Sequence, residues 1–266
     1  MTAAADLALI LEAAREAGEL ALKMRDAGLE IAYKAGDSPV TNADLAADAL
    51  LKRRLGEARP DYGWLSEETA DDDRRLSDHR LFVVDPIDGT RAFLGGQPWW
   101  VVSVAVVEGD RPSAGVVFAP QLDETYAASA GGGATLNGQP IRVSDTDVLE
   151  DCGIVSNARL FSRDGWPTPW PPMRVASRNS TAYRMCLVAG GTFDAALTLI
   201  PKHDWDLAAA DLIAGEAGAV VCDHLGHPFA YNRPTPRQSS LLCANPRIAP
   251  LILDRVRHIP VAQPRP

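Results

Sequence analysis

Two aspartates three residues apart, Asp85 and Asp88, close an apolar run in LFVVDPIDGTRAF, and Gly89 and Thr90 follow them. Carboxylates so close together on a rigid bend suit a hard divalent cation, which takes oxygen ligands. Gly89 lets the backbone approach a ligand, and a helix opening there would turn free N–H groups toward a phosphate. Thr90 adds a hydroxyl able to orient a water. An ordinary Asp-Gly turn with a capping aspartate is the alternative for this stretch alone. Two other acidic segments bear on the choice. WLSEE ends an apolar segment in a glutamate pair, from which Glu67 could reach the same pocket, although adjacent glutamates are commonly a solvated pair. WDLAAADLIAGEAG sets Asp206 at the head of a helical pattern, where it is either a ligand or an N-cap.

The elements that must position these residues follow from periodicity and punctuation. Residues 81–84 read as a buried strand, and Pro86 is expected to end its ladder. Leu7, Ile10, Ala14, Ala17, Ala21 and Met24 predict an amphipathic helix over 4–26, its stripe more fitting for a core than for a partner, although it permits a homodimer. Thr41 and Asp44 form a capping pair for a second helix ending near Gly56. Strands are expected at 62–65, 100–107, 113–119, 124–129 and 134–136, with Asn137-Gly138 as a hairpin turn. The Trp- and Pro-rich stretch 156–172 loses periodicity and reads as a packed loop between halves rather than a PxxP ligand. Beyond it come a strand at 174–176, a helix at 181–189, a strand near 194–199, the Asp206 helix and a strand at 219–222. The tail, 259–266, is expected to fray. The class is mixed α/β, of the α+β kind.

Composition narrows the partners. With 266 residues, 46% of them hydrophobic, the chain can bury a large core as one large domain or two packed halves. No apolar run is long enough for a membrane span and the first residues do not look like a signal peptide, so cytoplasmic residence is expected. Four cysteines without a CxxC pair suggest neither a zinc ribbon nor a disulfide scaffold, and His224 and His227 read as part of a surface turn. A net charge of −9 argues against nucleic acid polymers and anionic membranes. A small phosphate ester remains compatible, because bound divalent ions reverse the local potential.

WLSEE, DPIDGT and WDLAAADLIAGEAG, in this order with VTNAD, GGGATLNGQPIRVS and SRNSTAYRMCLVAGGTFDA, resemble the inositol monophosphatase superfamily of magnesium-dependent, lithium-sensitive phosphomonoesterases. The likeness covers nearly the whole chain. It implies a layered α-β-α-β-α fold with a large antiparallel sheet and a smaller C-terminal sheet. Residues 1–150 would carry most metal ligands, and 151–266 would carry Asp206 and substrate contacts. By the same resemblance, Glu67, Asp85 and the Ile87 carbonyl would hold one Mg²⁺, and Asp85, Asp88 and Asp206 a second. A third, looser ion would lie near Glu67, and Mn²⁺ would substitute. Thr90, with Glu67 or Asp44, would orient the attacking water, while Gly89 and Thr90 N–H groups would hold phosphate oxygens. Arg91, Asn179, Ser180, Thr181 and Asp206 would meet the substrate. Arg91 after DGT resembles the 3'(2'),5'-bisphosphate nucleotidase branch, although Ala92 departs from it. The absence of an acid in 195–203, and Asn179 in place of a common glycine, count against inositol. Arg91, Arg178, Arg184 and Lys202 could grip a second phosphate. The expected substrate is therefore adenosine 3',5'-bisphosphate, ahead of inositol 1-phosphate, histidinol phosphate and sugar bisphosphates. A catalytically silent binding relative is the reading from another class, and the retained carboxylates argue against it.

Overall fold

The strand Arg80–Asp88 is the axis of the chain, with every residue after Arg80 buried, as a near-continuous apolar run requires when both sheet faces are covered. The computed structural model describes residues 2–34, 36–162 and 166–261. Arg80–Asp88 lies second in a seven-stranded sheet, after Gly63–Ser66 and before Val101–Glu108, Arg111–Ala119, Glu124–Ser129, Ala134–Leu136 and Gln139–Pro140. Gly63–Ser66 runs parallel to it and every other neighbouring pair is antiparallel.

Alternating side chains divide that sheet between two cores. Phe82, Val84, Val104 and Val116 pack against Ile10, Ala14 and Ala17 of the helix Ala3–Ala27 and against Leu51 and Leu55 of the helix Asn42–Ala58. Leu81, Val83, Ala105 and Val117 face Met185 of the helix Thr181–Ala189 and Leu207, Ala210 and Ile213 of the helix Asp204–Glu216. Those two helices are covered in turn by a five-stranded sheet in the order Arg174–Ala176, Gly153–Val155, Ala195–Thr198, Leu241–Ala244, Val220–Cys222. Ala196 and Cys243 point to the central helices, while Ala195, Leu197 and Leu242 meet Ile252 and Val256 of the helix Ala249–Val256. The layers run α-β-α-β-α, as expected.

Several details depart from the sequence reading. Pro86 does not end its strand: the ladder continues to Asp88 through a register shift, with Asp85 opposite Ser103 and Asp88 opposite Val101. A bulge tolerates a residue without an N–H, which is why proline survives there. The N-terminal stripe packs within its own chain as expected of a core face, with Ile10, Ala14, Ala17 and Ala21 buried and Leu7 and Met24 partly so. Phe161, Trp166 and Trp170 form edge-to-face pairs and pack on the outer core of the smaller sheet, not between two halves. Residues 163–165 of that stretch and 262–266 of the expected frayed tail lie outside the described residues. His224 is buried with Nδ1 2.9 Å from Ser240 Oγ, and only His227 sits at the surface as expected. The four cysteines are free and buried. Two short ribbons were not anticipated, Ile31–Lys34 with Ser38–Thr41 and Lys202–His203 with Arg237–Gln238.

The sheet and the helix Asp204–Glu216 come close at Gly115, where a Cβ would sit 2.8 Å from the Ala209 carbonyl oxygen. Gly115→Ala should therefore destabilise the fold by about 1–3 kcal/mol through overpacking. At Gly56, where a Cβ meets nothing within 4 Å, the same change should be neutral or stabilise by about 0.4–1 kcal/mol. Urea unfolding of the two variants checks the pair, and equal effects would contradict the close approach.

Candidate active site

In a regular strand, residues three apart face opposite sides of the sheet. The bulge in Arg80–Asp88 inserts one residue between Asp85 and Asp88, so both carboxylates come to the same side. There they meet Asp206, from the first turn of Asp204–Glu216: one carboxylate oxygen from each of the three lies within 4.8 Å of the others. Asp85 and Asp88 are buried, and Asp206 is partly so.

Each acid is held by local hydrogen bonds. Asp85 Oδ1 accepts from the Ile87 N–H at 3.1 Å. Asp88 Oδ2 accepts from Ser180 Oγ and the Ala182 N–H, both at 2.7 Å. Asp206 Oδ2 accepts from the His203 N–H at 2.9 Å, closing the N-terminus of its own helix. Asp44 accepts through Oδ2 from the Thr41 N–H and hydroxyl, in a capping box, while its Oδ1 lies 3.3 Å from Thr90 Oγ1. Thr90 Oγ1 is also 3.2 Å from the Ile87 carbonyl oxygen.

A cleft of about 250 Å³ opens on this cluster and is lined by Glu67, Asp85, Asp88, Gly89, Thr90, Arg91, Asn179, Lys202 and Asp206. Not all the expected residues are disposed as the sequence suggested. Glu67 stands in the cleft wall outside the three-aspartate group, its Oε1 3.1 Å from Lys34 Nζ, which also holds Glu68 at 2.7 Å. Ser180 and Thr181 have buried side chains, so Ser180 serves Asp88 and the cap of its helix, and neither side chain faces the cleft. Gly89, at φ +99°, is needed for packing: a Cβ would lie 3.2 Å from the Ser180 nitrogen and 3.3 Å from the Trp99 carbonyl oxygen. Arg91 donates to the Asp37 carbonyl at 2.6 Å, and Arg178 stacks on Trp99. Arg184 is turned to the Arg178 carbonyl. Lys34 was missed because its hairpin is short and largely exposed, without the apolar alternation that marks strands.

Crowding and burial leave these acids short of positive charge. Burial, then Glu67, Asp88 and Asp206, push the Asp85 carboxyl well above its ordinary range. Burial and the charge of Asp206 push Asp88 up to about 7. Burial likewise raises Asp44 and Glu67, the latter against the pull of Lys34. Glu68 rises to about 7 through burial despite its bond to Lys34. Buried charges need partners, and the ammonium nearest the triad, Lys202, lies 4.0 Å from Asp206. An all-oxygen, strongly anionic donor set of this kind fits a hard divalent cation.

The comparisons agree with this geometry. The family profile "Inositol monophosphatase family" matches residues 4–260, so the chain belongs to that family, whose members are phosphatases. It is 30% identical to the Nus factor SuhB of Haemophilus influenzae, covering 94% of this chain and 95% of that protein. It is 36% identical to a histidinol-phosphatase of Mycobacterium tuberculosis, over 80% of this chain and 85% of the relative. Relatives at 31% and 30% identity carry the names inositol monophosphatase 1, in Solanum lycopersicum, and 3'(2'),5'-bisphosphate nucleotidase CysQ, in Escherichia coli O157:H7. The solved structure of the Thermotoga maritima IMPase TM1415 superposes with a TM-score of 0.82 at 28% identity, covering 94% and 96% of the two chains. No helix among the described residues is long and apolar enough to cross a membrane.

The raised carboxyls have a consequence for stability. Asp88 titrates at about 7 in the metal-free fold, against roughly 3.9 in an unfolded chain. Between those values the folded state holds a proton that the unfolded state has lost. The favourable contribution is complete below the unfolded value and is lost as pH rises through about 7. In EDTA, raising the pH from about 5.5 to about 8 should lower the Tm, less so in Asp88→Asn. Saturating Mg²⁺ should raise the Tm more at about pH 8 than at about pH 5.5, because the cation needs the deprotonated acids. Calorimetry at both pH values checks this, and equal Mg²⁺ shifts would refute it.

Proposed function

We propose that the chain hydrolyses a small phosphate monoester with water as the nucleophile, using Mg²⁺ or Mn²⁺ held by the acidic cluster. The convergence of Asp85, Asp88 and Asp206 carries this reading. These three would hold one cation, and Asp85, Glu67 and the Ile87 carbonyl another. When bound, divalent cations supply Lewis acidity to the phosphoryl group and acidify water. Thr90 Oγ1, donating to Asp44 Oδ1, keeps its lone pairs for a proton of the incoming water. Asp44 is fixed by Thr41 and raised by burial, which makes it a stronger acceptor for that proton than an exposed aspartate. The water oxygen then forms the new P–O bond as the ester P–O bond breaks, and the leaving oxygen departs as an alcohol after taking a proton from solvent.

The cavity beside the cleft supports a choice of substrate. It measures about 430 Å³, shares Lys202 with the cleft, and is lined by Asn157, Arg159, Leu160, Arg184 and Leu199 among others, with no carboxylate. Three cationic side chains would repel the ammonium of histidinol, and a polyol would find no carboxylate acceptor. An apolar wall with cations suits a ring bearing a second phosphate, which favours adenosine 3',5'-bisphosphate. The name of the Mycobacterium tuberculosis relative favours histidinol phosphate as the second reading.

Asp85→Asn should lower kcat/KM by about 10³-fold or more on every phosphate ester, since it removes a carboxylate shared by both cation positions. Arg159→Ala should raise KM for adenosine 3',5'-bisphosphate about tenfold while leaving p-nitrophenyl phosphate unaffected. Phosphate release from a panel that includes inositol 1-phosphate and histidinol phosphate tests the choice. A tenfold preference for histidinol phosphate would establish the second reading, and turnover indifferent to divalent cations would sink both.

A further inference from the structure

A cavity of about 500 Å³ lies apart from the acidic cleft, and its lining includes Asp223, His227, Arg233, Thr235, Arg237 and Gln238. Its charge opposes that of the molecule as a whole, which carries −9. The carboxylate of Asp223 is already engaged: Oδ1 accepts from the N–H groups of Leu225 and His227, and Oδ2 lies 3.3 Å from His227 Nδ1. The arginines are under-used by comparison. Arg233 donates to the neutral Gln238 Oε1 at 2.8 Å, and Arg237 Nε is buried without a hydrogen-bond partner among the described residues. A buried guanidinium N–H left without an acceptor is costly, and a bidentate oxyanion is its natural complement.

Two connections run from this cavity to the acidic cleft. The ribbon pairs Arg237 with His203 and Gln238 with Lys202, and the His203 N–H holds Asp206 Oδ2. In parallel, Gln238 bridges Arg233 to Asp204, donating from Nε2 to Asp204 Oδ1 at 2.9 Å, at the start of the helix that carries Asp206. A ligand that draws Arg233 and Arg237 together therefore acts on the strand and cap that set the position of Asp206.

We propose that this cavity is a second binding site, for a small phosphate- or carboxylate-bearing anion, and that its occupancy tunes cation binding at the acidic cleft. The anion site goes beyond phosphomonoester hydrolysis and stands apart from it, while the coupling rests on the cation held by the acidic cleft in the function proposed above. Sulfate serves as the probe, titrated calorimetrically into the full chain in EDTA at constant ionic strength, conditions in which the bare carboxylates of the cleft repel anions. Binding should weaken at least about tenfold in the double variant Arg233→Gln/Arg237→Gln, survive in Arg233→Lys/Arg237→Lys, and be unaffected by Asp85→Asn. Thermal melts matching the parent exclude loss of fold as the cause. Titration of Mn²⁺ with and without saturating sulfate should show a shift in cation affinity of at least about twofold in the parent and none in the glutamine variant. No sulfate binding, equal binding in the parent and the glutamine variant, or binding abolished by Asp85→Asn would overturn the site. Binding with an unchanged Mn²⁺ affinity would overturn the coupling.

Discussion

The constraint on which the rest depends is electrostatic: several carboxylates that repel one another are held together at the end of a buried strand. At a low effective dielectric, like charges within a few ångströms cost several kcal/mol, so the cluster persists only where the fold over-determines it. The Arg80–Asp88 strand provides this, because its residues are packed between two cores and cannot splay. The bulge then turns Asp85 and Asp88 to one side at the cost of one unpaired ladder position. A cluster that is unfavourable when empty is prepared for a cation, since the strain is relieved only by positive charge.

The clamps on these acids are the caps of the surrounding helices. Asp44 caps Asn42–Ala58, Asp206 caps Asp204–Glu216, and Asp88 is held by Ser180, the N-cap of Thr181–Ala189. Capping and cleft-lining, which look like alternatives when each aspartate is read in isolation, are performed by the same side chains. In Asp44 one oxygen, Oδ2, accepts from the Thr41 N–H and fixes the rotamer, and the other, Oδ1, holds Thr90 Oγ1 at the cleft wall. A helix N-terminus also favours the ionised form of a nearby acid, partly offsetting the crowding.

Periodicity made most elements legible. The long helices, the central strands and the Asn137-Gly138 turn appear close to where their patterns place them. What stayed hidden depends on tertiary context. Proline rules predict that the ladder stops at Pro86, and only the pairing with Val101–Glu108 reveals that it continues through a bulge. The Ile31–Lys34 hairpin has little buried surface to leave a pattern, so Lys34 and its hold on Glu67 were invisible. For Ser180 and Thr181 the motif identified the right neighbourhood and the wrong facing, because burial is decided by what packs above them.

The same division explains how relatives with different names keep one fold. The acids and Thr90 stand on a strand and helix caps whose positions are fixed by three dense cores, and a change there costs stability as well as chemistry. The neighbouring cavity is built differently. Arg159 and Leu160 come from a short helix, and Leu199 and Ile200 from the segment after the strand Ala195–Thr198. Segments of this kind lie at the surface between elements and tolerate substitution more readily than the buried strand Arg80–Asp88. A chain superposing at a TM-score of 0.82 with 28% identity can therefore share the layers while the cavity beside the cleft differs. Charges on that wall, such as Arg159, can therefore change without disturbing Asp85, Asp88 or Asp206, and the substrate choice proposed above relies on that separation.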